Sequence, residues 1–161
     1  MSRIGVISDT HGYFNPQLPA VFQGVSLILH AGDIGRLTVI RQLEAIAPVQ
    51  AVRGNLDGAL RSPRFPHRRL VRVGKATILM THFGIWSQEL AAWLQQEHGL
   101  DRPDIFVYGH SHQALQHWEG GTLFFNPGTA GRSQVGAGPS VGILSVVGGE
   151  VAGQIVPLRR P

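Results

Sequence analysis

The sequence predicts an α/β chain in which two sheets pack face to face, with helices covering one or both outer faces. Three observations carry the expectation. The first two thirds alternate short apolar runs with helical patterns, the last third runs strand after strand, and the apolar runs end repeatedly on histidine, aspartate or asparagine. Short apolar runs bounded by turn residues read as buried strands of a parallel sheet, where chemistry collects beyond the carboxyl ends.

The first strand is Arg3 to Ser8, followed by Asp9-Thr10-His11-Gly12. Residues two apart in extended chain point the same way, so Asp9 and His11 can present an oxygen and an imidazole to one point. Asn15-Pro16 opens a short helix toward Gly24, and the strand within Ser26 to Asp33 follows. Asp33 is equally a candidate cap for the next helix. That helix, Arg36 to about Ala47, carries Leu37, Ile40, Leu43 and Ala47 on one side and stops before Pro48. A third strand, Val49 to Arg53, leads into Gly54-Asn55-Leu56-Asp57, which also fits an ordinary turn. Arg69 to Val73 and Ala76 to Thr81 read as a hairpin about Gly74-Lys75, ending at His82. Trp86, Leu90, Trp93 and Leu94 have helical spacing, and Gly99 is placed to stop the helix. Asp104 to Tyr108 is a strand running into Gly109-His110-Ser111-His112, where two imidazoles two residues apart begin a metal site. Ala114 to Glu119, Thr122 to Phe125, Ser140 to Val147 and Glu150 to Val156 complete the strands. Gly136, Gly138 and Gly142 superficially fit a dinucleotide fingerprint, but they precede a strand and no helix follows, so the reading is rejected.

The 161 residues suit one domain spanning 1–161, and 43% hydrophobic with 15% charged residues indicates a folded chain. Without cysteine, disulfides and thiolate ligands are excluded, so a metal must be held by nitrogen and oxygen. No apolar run is long enough to span a bilayer and the amino terminus lacks a signal-peptide pattern, so a soluble cytoplasmic protein is expected. The net charge of +4 is carried by arginine, with Lys75 the single lysine. Its concentration at Arg61, Arg64, His67, Arg68, Arg69 and Arg72 fits either a solvated face or an anion-binding loop, nucleic acid included. The sequence is compatible with a homo-oligomer.

Collected in order, the strand ends supply Asp9, His11, Asp33, Asn55, His82, His110 and His112. Two carboxylates, an amide oxygen and four imidazoles are too many donors for one tetrahedral ion but suit two divalent ions sharing a carboxylate. The order D-x-H, G-D, G-N, H, G-H-x-H, with Asn126-Pro127-Gly128 downstream, resembles the calcineurin-like metallophosphoesterase superfamily, and more narrowly its small bacterial and archaeal phosphodiesterases of the YfcE type. These are similar in fold to the retromer small subunit. The resemblance implies a four-layer αββα sandwich of two mixed sheets with a dinuclear site at one edge. Carried over by position, one metal takes Asp9, His11 and His112, the other Asn55, His82 and His110, and Asp33 bridges them. The ions expected are manganese first, with nickel, iron, cobalt or zinc as alternatives. The chemistry expected is in-line attack of a metal-bridging hydroxide on a small phosphodiester, with Asn55 helping to offset charge on the equatorial oxygens.

The sequence departs from the family pattern at three places. Many members carry histidine after Gly-Asn, thought to protonate the leaving group, where this chain has Leu56; Asp57 is the alternative donor or a turn-stabilising carboxylate. Phe83 separates His82 from Gly84, and Thr129 and Arg132 occupy a region where relatives often carry serine and arginine. Arg132 is therefore a candidate phosphate contact, with a bidentate guanidinium as the reason. His30 is expected to orient a ligand rather than be one; His67, His98 and His117 fit no strand-end pattern. The competing function is a non-catalytic protein-interaction scaffold on the same fold.

Overall fold

The computed structural model describes residues 1–60, 62–132 and 138–161. Arg61 of the basic segment and Gly136 of the glycine-rich stretch lie outside them.

Among the described residues, ten strands form two mixed five-stranded sheets. In the first, β1 (Ser2–Ile7), β2 (Leu27–His30) and β3 (Val49–Ala51) run parallel, while β9 (Ser140–Val147) and β10 (Glu150–Pro157) join antiparallel in the order β10-β9-β1-β2-β3. The second has the order β4-β5-β6-β8-β7, in which β5 (Ala76–Thr81), β6 (Ile105–Val107) and β8 (Thr122–Asn126) are parallel. Its antiparallel edges are β4 (Arg68–Val73) and β7 (Leu115–Glu119).

The inner strands β1, β2, β5, β6 and β8 read as largely apolar runs because both their faces are covered, whereas the edge strand β7 is exposed throughout. Ile4 and Val6 of β1, Ile78 and Met80 of β5, and Ile105 and Val107 of β6 fill the space between the sheets together with Phe125. Their alternate neighbours point outward, as the two-residue period of a strand requires. Ile7 and Ile28 meet α1 (Leu18–Val21) and α2 (Leu37–Glu44) through Leu18, Ile40 and Leu43. On the opposite outer face Leu79 and Phe106 meet α3 (Gln88–His98) through Leu90, with Trp86 and Trp93 packed beside them. Helix, sheet, sheet and helix are thus stacked as the resemblance implies.

Helix α2 is shorter than its sequence pattern, since the chain leaves the helix at Ala45 ahead of Pro48 although Ala47 is still buried. Helix α3 is closed at both ends: the Ser87 side chain accepts from the Leu90 amide, and Gly99 adopts a left-handed φ of 67°. Among the described residues, Arg64, His67, Arg68 and Arg69 of the basic segment are engaged within the molecule. Arg64 pairs with Glu44, Arg68 lies 4.9 Å over the Trp93 ring, and Arg69 donates to the carbonyls of Ala51 and Arg64. His67 shares a 2.7 Å hydrogen bond with Arg53. No helix among the described residues is long and apolar enough to cross a membrane.

Candidate metal centre

The parallel strands of both sheets deliver their following loops to one edge, where the loops are laced together. The Asp9 amide donates to Gly32 O, His11 to Asp33 O, and Gly12 to Ile34 O; Gly109 donates to His82 O, and Ala130 to Ser8 O. Such closeness needs missing side chains. A Cβ on Gly54 would stand 2.1 Å from Asp33 Oδ1, and one on Gly109 would stand 2.6 Å from Asp9 Oδ2. Among the described residues, the non-glycines with left-handed backbone are Asp9, His11, Asp33, His110 and His112, with φ between 47° and 70°. All five are candidate ligands, and strain of ~1–3 kcal/mol each persists only where the surroundings overdetermine it.

Asp9 is fully buried. Its Oδ2 accepts from Ser8 Oγ at 2.6 Å and from the His110 amide at 3.0 Å. Among the described residues its Oδ1 has no hydrogen bond and faces His112 Nε2 at 3.2 Å, His11 Nε2 at 3.8 Å and His82 Nε2 at 3.9 Å. His82 donates Nδ1–H to Ala31 O at 2.8 Å, which in the neutral ring leaves a lone pair on Nε2. That buried Nε2 also makes no hydrogen bond and lies 3.4 Å from Asp33 Oδ2. Two groups of donor atoms result, Asp9 with His11 and His112, and Asp9 with Asp33 and His82, each within 4.8 Å. An unsatisfied buried polar atom costs about 1–3 kcal/mol. A cation placed among these lone pairs removes the penalty, so the residues present fit a metal.

Burial alone would raise the Asp33 carboxyl, but the His82 ring 3.4 Å away and a hydrogen bond from the Leu56 amide outweigh it and hold the group below its usual value. For His82, burial works downward and is outweighed by Asp33, the Ala31 carbonyl and Asp9, which raise it above 6.5. His30 is fully buried. Its Nδ1 accepts from the Gly32 amide, so Nε2–H donates to Thr10 Oγ1, which donates onward to Ile34 O. Burial lowers its pKa to about 3. A neutral His30 therefore fixes the backbone flanking Asp9, His11 and Asp33 rather than touching a ligand.

The model for the calcineurin-like phosphoesterase superfamily domain matches residues 2–149. The chain belongs to the calcineurin-like phosphoesterase superfamily. It is 30% identical, over 98% of its length and 94% of the relative's, to a probable metallophosphoesterase of Methanothermobacter thermautotrophicus. A phosphodiesterase of Methanocaldococcus jannaschii is 26% identical over 88% of this chain and 92% of that one. In structure the chain resembles Vacuolar Protein Sorting 29 from Cryptosporidium parvum, with a TM-score of 0.72, 22% identity and 96% of each chain covered.

Against this calcineurin-like frame the remaining candidates sort by position. Asn55 and His110 are at the exposed rim; the His110 ring lies 5.3 Å from that of His82 and 4.7 Å from that of Phe83, outside both donor groups. Asp9 Oδ1 is common to the two groups, whereas the family pattern gives the shared place to Asp33. Asp33 does not cap α2, whose first flanking residue is Arg36. Buried Asp57 accepts from the amides of Ile34, Gly35 and Gly54 at 2.9–3.1 Å, which makes it the turn-stabilising carboxylate. Leu56 projects to solvent beside the site. Arg132 lies 4.5 Å over the Tyr13 ring, and both line a cavity of about 430 Å³ with His11, Gly12 and Arg36. A groove of about 340 Å³ adjoins His112, walled in part by Ala114, Pro139, Ile155 and Pro157. Tyr13 and Arg36 escaped the sequence reading; the one available signal was a basic residue directly after Gly35 in the Asp33 loop.

Proposed function

We propose that the chain is a metal-dependent phosphodiesterase that hydrolyses a small phosphodiester by in-line displacement at phosphorus. The observation that supports it best is the convergence of two buried atoms without hydrogen bonds, Asp9 Oδ1 and His82 Nε2, on one point ringed by Asp33, His11 and His112. Asp9, His11 and His112 would hold one divalent ion; His82, His110 and Asn55 would hold the other, with Asp33 or Asp9 shared. Bound ions supply Lewis acidity and a nucleophilic water near neutral pH. Manganese is the first ion to test, and nickel, iron, cobalt and zinc suit the same donors.

The chain's own residues define the rest. Asn55, on the exposed rim, would donate to a phosphoryl oxygen, and Arg132, in the wall of the cavity beside His11, would pair with a substrate anion. Leu56 cannot give a proton to a departing alkoxide, so good leaving groups are favoured. Depressions adjoin both His11 and His112, one for each arm of a diester. The test is manganese-dependent hydrolysis of bis(p-nitrophenyl) phosphate by the parent, Asp33→Ala and His112→Ala proteins. Turnover in the parent, lost in both variants, is expected; a parent without metal-dependent turnover overturns the proposal.

That failure would favour the scaffold reading, for which the specific support is an exposed apolar rim of Leu56, Phe83 and Ile85 beside the ligands. A nucleic-acid ligand has less support, because Arg64, Arg68 and Arg69 are already engaged internally.

A further inference from the structure

The cavity beside His11 has none of Asp9, Asp33 or His82 in its wall and adjoins the ligand cluster through one imidazole. At about 430 Å³ it is the size of a small-ligand pocket, larger than the oxygens of one phosphoryl group require. Two guanidiniums line it, and among the described residues no carboxylate does. Arg36 is exposed and its side chain makes no hydrogen bond or ion pair among the described residues, yet it is not loosely placed. Its stem lies on the backbone of Gly12, where a Cβ would stand 3.2–3.3 Å from Cγ, Cδ and Nε. The Gly12 amide is bonded to Ile34 O, and the Gly35 amide to Asp57, so the contacts that place Asp33 and His11 also place Arg36. Arg132 reaches the same space across the ring of Tyr13.

We infer that this cavity is a subsite for a second anionic group, so that the favoured diester carries a phosphate on one of its arms and Arg36 selects for it. A planar guanidinium fork matches a phosphate in two parallel hydrogen bonds, and a pair of forks suits a dianion. The inference rests on the phosphodiesterase reading and narrows its substrate class.

The test uses a matched pair, thymidine 5′-(p-nitrophenyl phosphate) and the same compound bearing a 3′-phosphate, which share a leaving group. The parent is expected to favour the 3′-phosphorylated compound in kcat/KM by about ten- to a hundredfold, the worth of a charge-assisted contact. Arg36→Ala brings that ratio near one and Arg36→Lys retains part of it. Independently of turnover, chelator-treated parent should bind thymidine 3′,5′-bisphosphate about tenfold more tightly than thymidine 5′-phosphate by calorimetry, and Arg36→Ala should lose the preference. A parent indifferent to the 3′-phosphate in both measurements overturns the inference. So does an Arg36→Ala protein that loses equally on both substrates, since Arg36 would then hold the scissile group. If the parent hydrolyses neither compound but shows a binding preference that Arg36→Ala abolishes, the subsite stands and the hydrolytic reading falls.

Discussion

Replacing Asp57 by asparagine separates a structural carboxylate from a proton donor. Its Oδ2 accepts from Ile34 and Gly54, and its Oδ1 from Gly35. The amide oxygen of asparagine can take over one of these places, and its NH2 group then confronts an amide N–H at the other. One buried donor left unsatisfied costs about 1–3 kcal/mol, and two bonds that lose charge assistance cost about 0.5–1.5 kcal/mol each. The sum, roughly 2–6 kcal/mol, corresponds to a fall of about 4–24 °C in Tm for a chain of this size. Circular dichroism melts measure the fall. Hydrolysis of an aryl and an alkyl phosphodiester, compared well below the transition, measures any role in protonating the leaving group. The reasoning predicts a large thermal loss and an unchanged aryl-to-alkyl rate ratio. A variant that melts within about 1 °C of the parent, or loses the alkyl substrate selectively, refutes it.

Acid should unfold the protein through His30. Its folded pKa of about 3 lies below 6.5, so the unfolded chain binds more protons between these values. The contribution is complete above pH 6.5 and drains away as pH falls toward 3, roughly 4–5 kcal/mol in all. Urea unfolding of parent and His30→Gln proteins at pH 7 and 4.5 should give a steeper pH loss for the parent; equal slopes would contradict it. Gly54→Ala drives a methyl group onto Asp33 Oδ1 and should cost about 1–3 kcal/mol while weakening manganese binding by calorimetry; unaltered affinity would count against the tight packing described. Leu56→His should raise alkyl diester hydrolysis relative to aryl, and an unaltered ratio would remove the leaving-group argument.

Where one physical rule dominated, the sequence was readable. The inner strands β1, β2, β5 and β6 are covered on both faces and appear as plain apolar runs, so they were visible with small errors at their ends. Strand-end geometry brought Asp9, His11, Asp33, His82 and His112 to one edge, because parallel neighbours share a direction. What stayed hidden depends on contacts between loops distant in sequence. The triple acceptance by Asp57 joins segments 23 residues apart, and nothing local separates that role from an ordinary turn. The left-handed backbone of five candidate ligands is likewise imposed from outside, for no local pattern requires it of His11 or His112. Arg36 has no periodicity to betray it, and the basic segment looked available only because Glu44 and Trp93 lie far from it in the chain.

Asp9, His11 and Asp33 follow strands of one sheet, whereas His82 and His112 follow strands of the other. The donor cluster is therefore a seam, and its dimensions are those of the gap between the sheets. Phe125, fully enclosed in that gap, acts as a spacer. Trimming it would let the halves of the sandwich settle together and shift the candidate donors from within the filling, so the hold on a cation would be governed as much by the thickness of the filling as by the hands that would hold it.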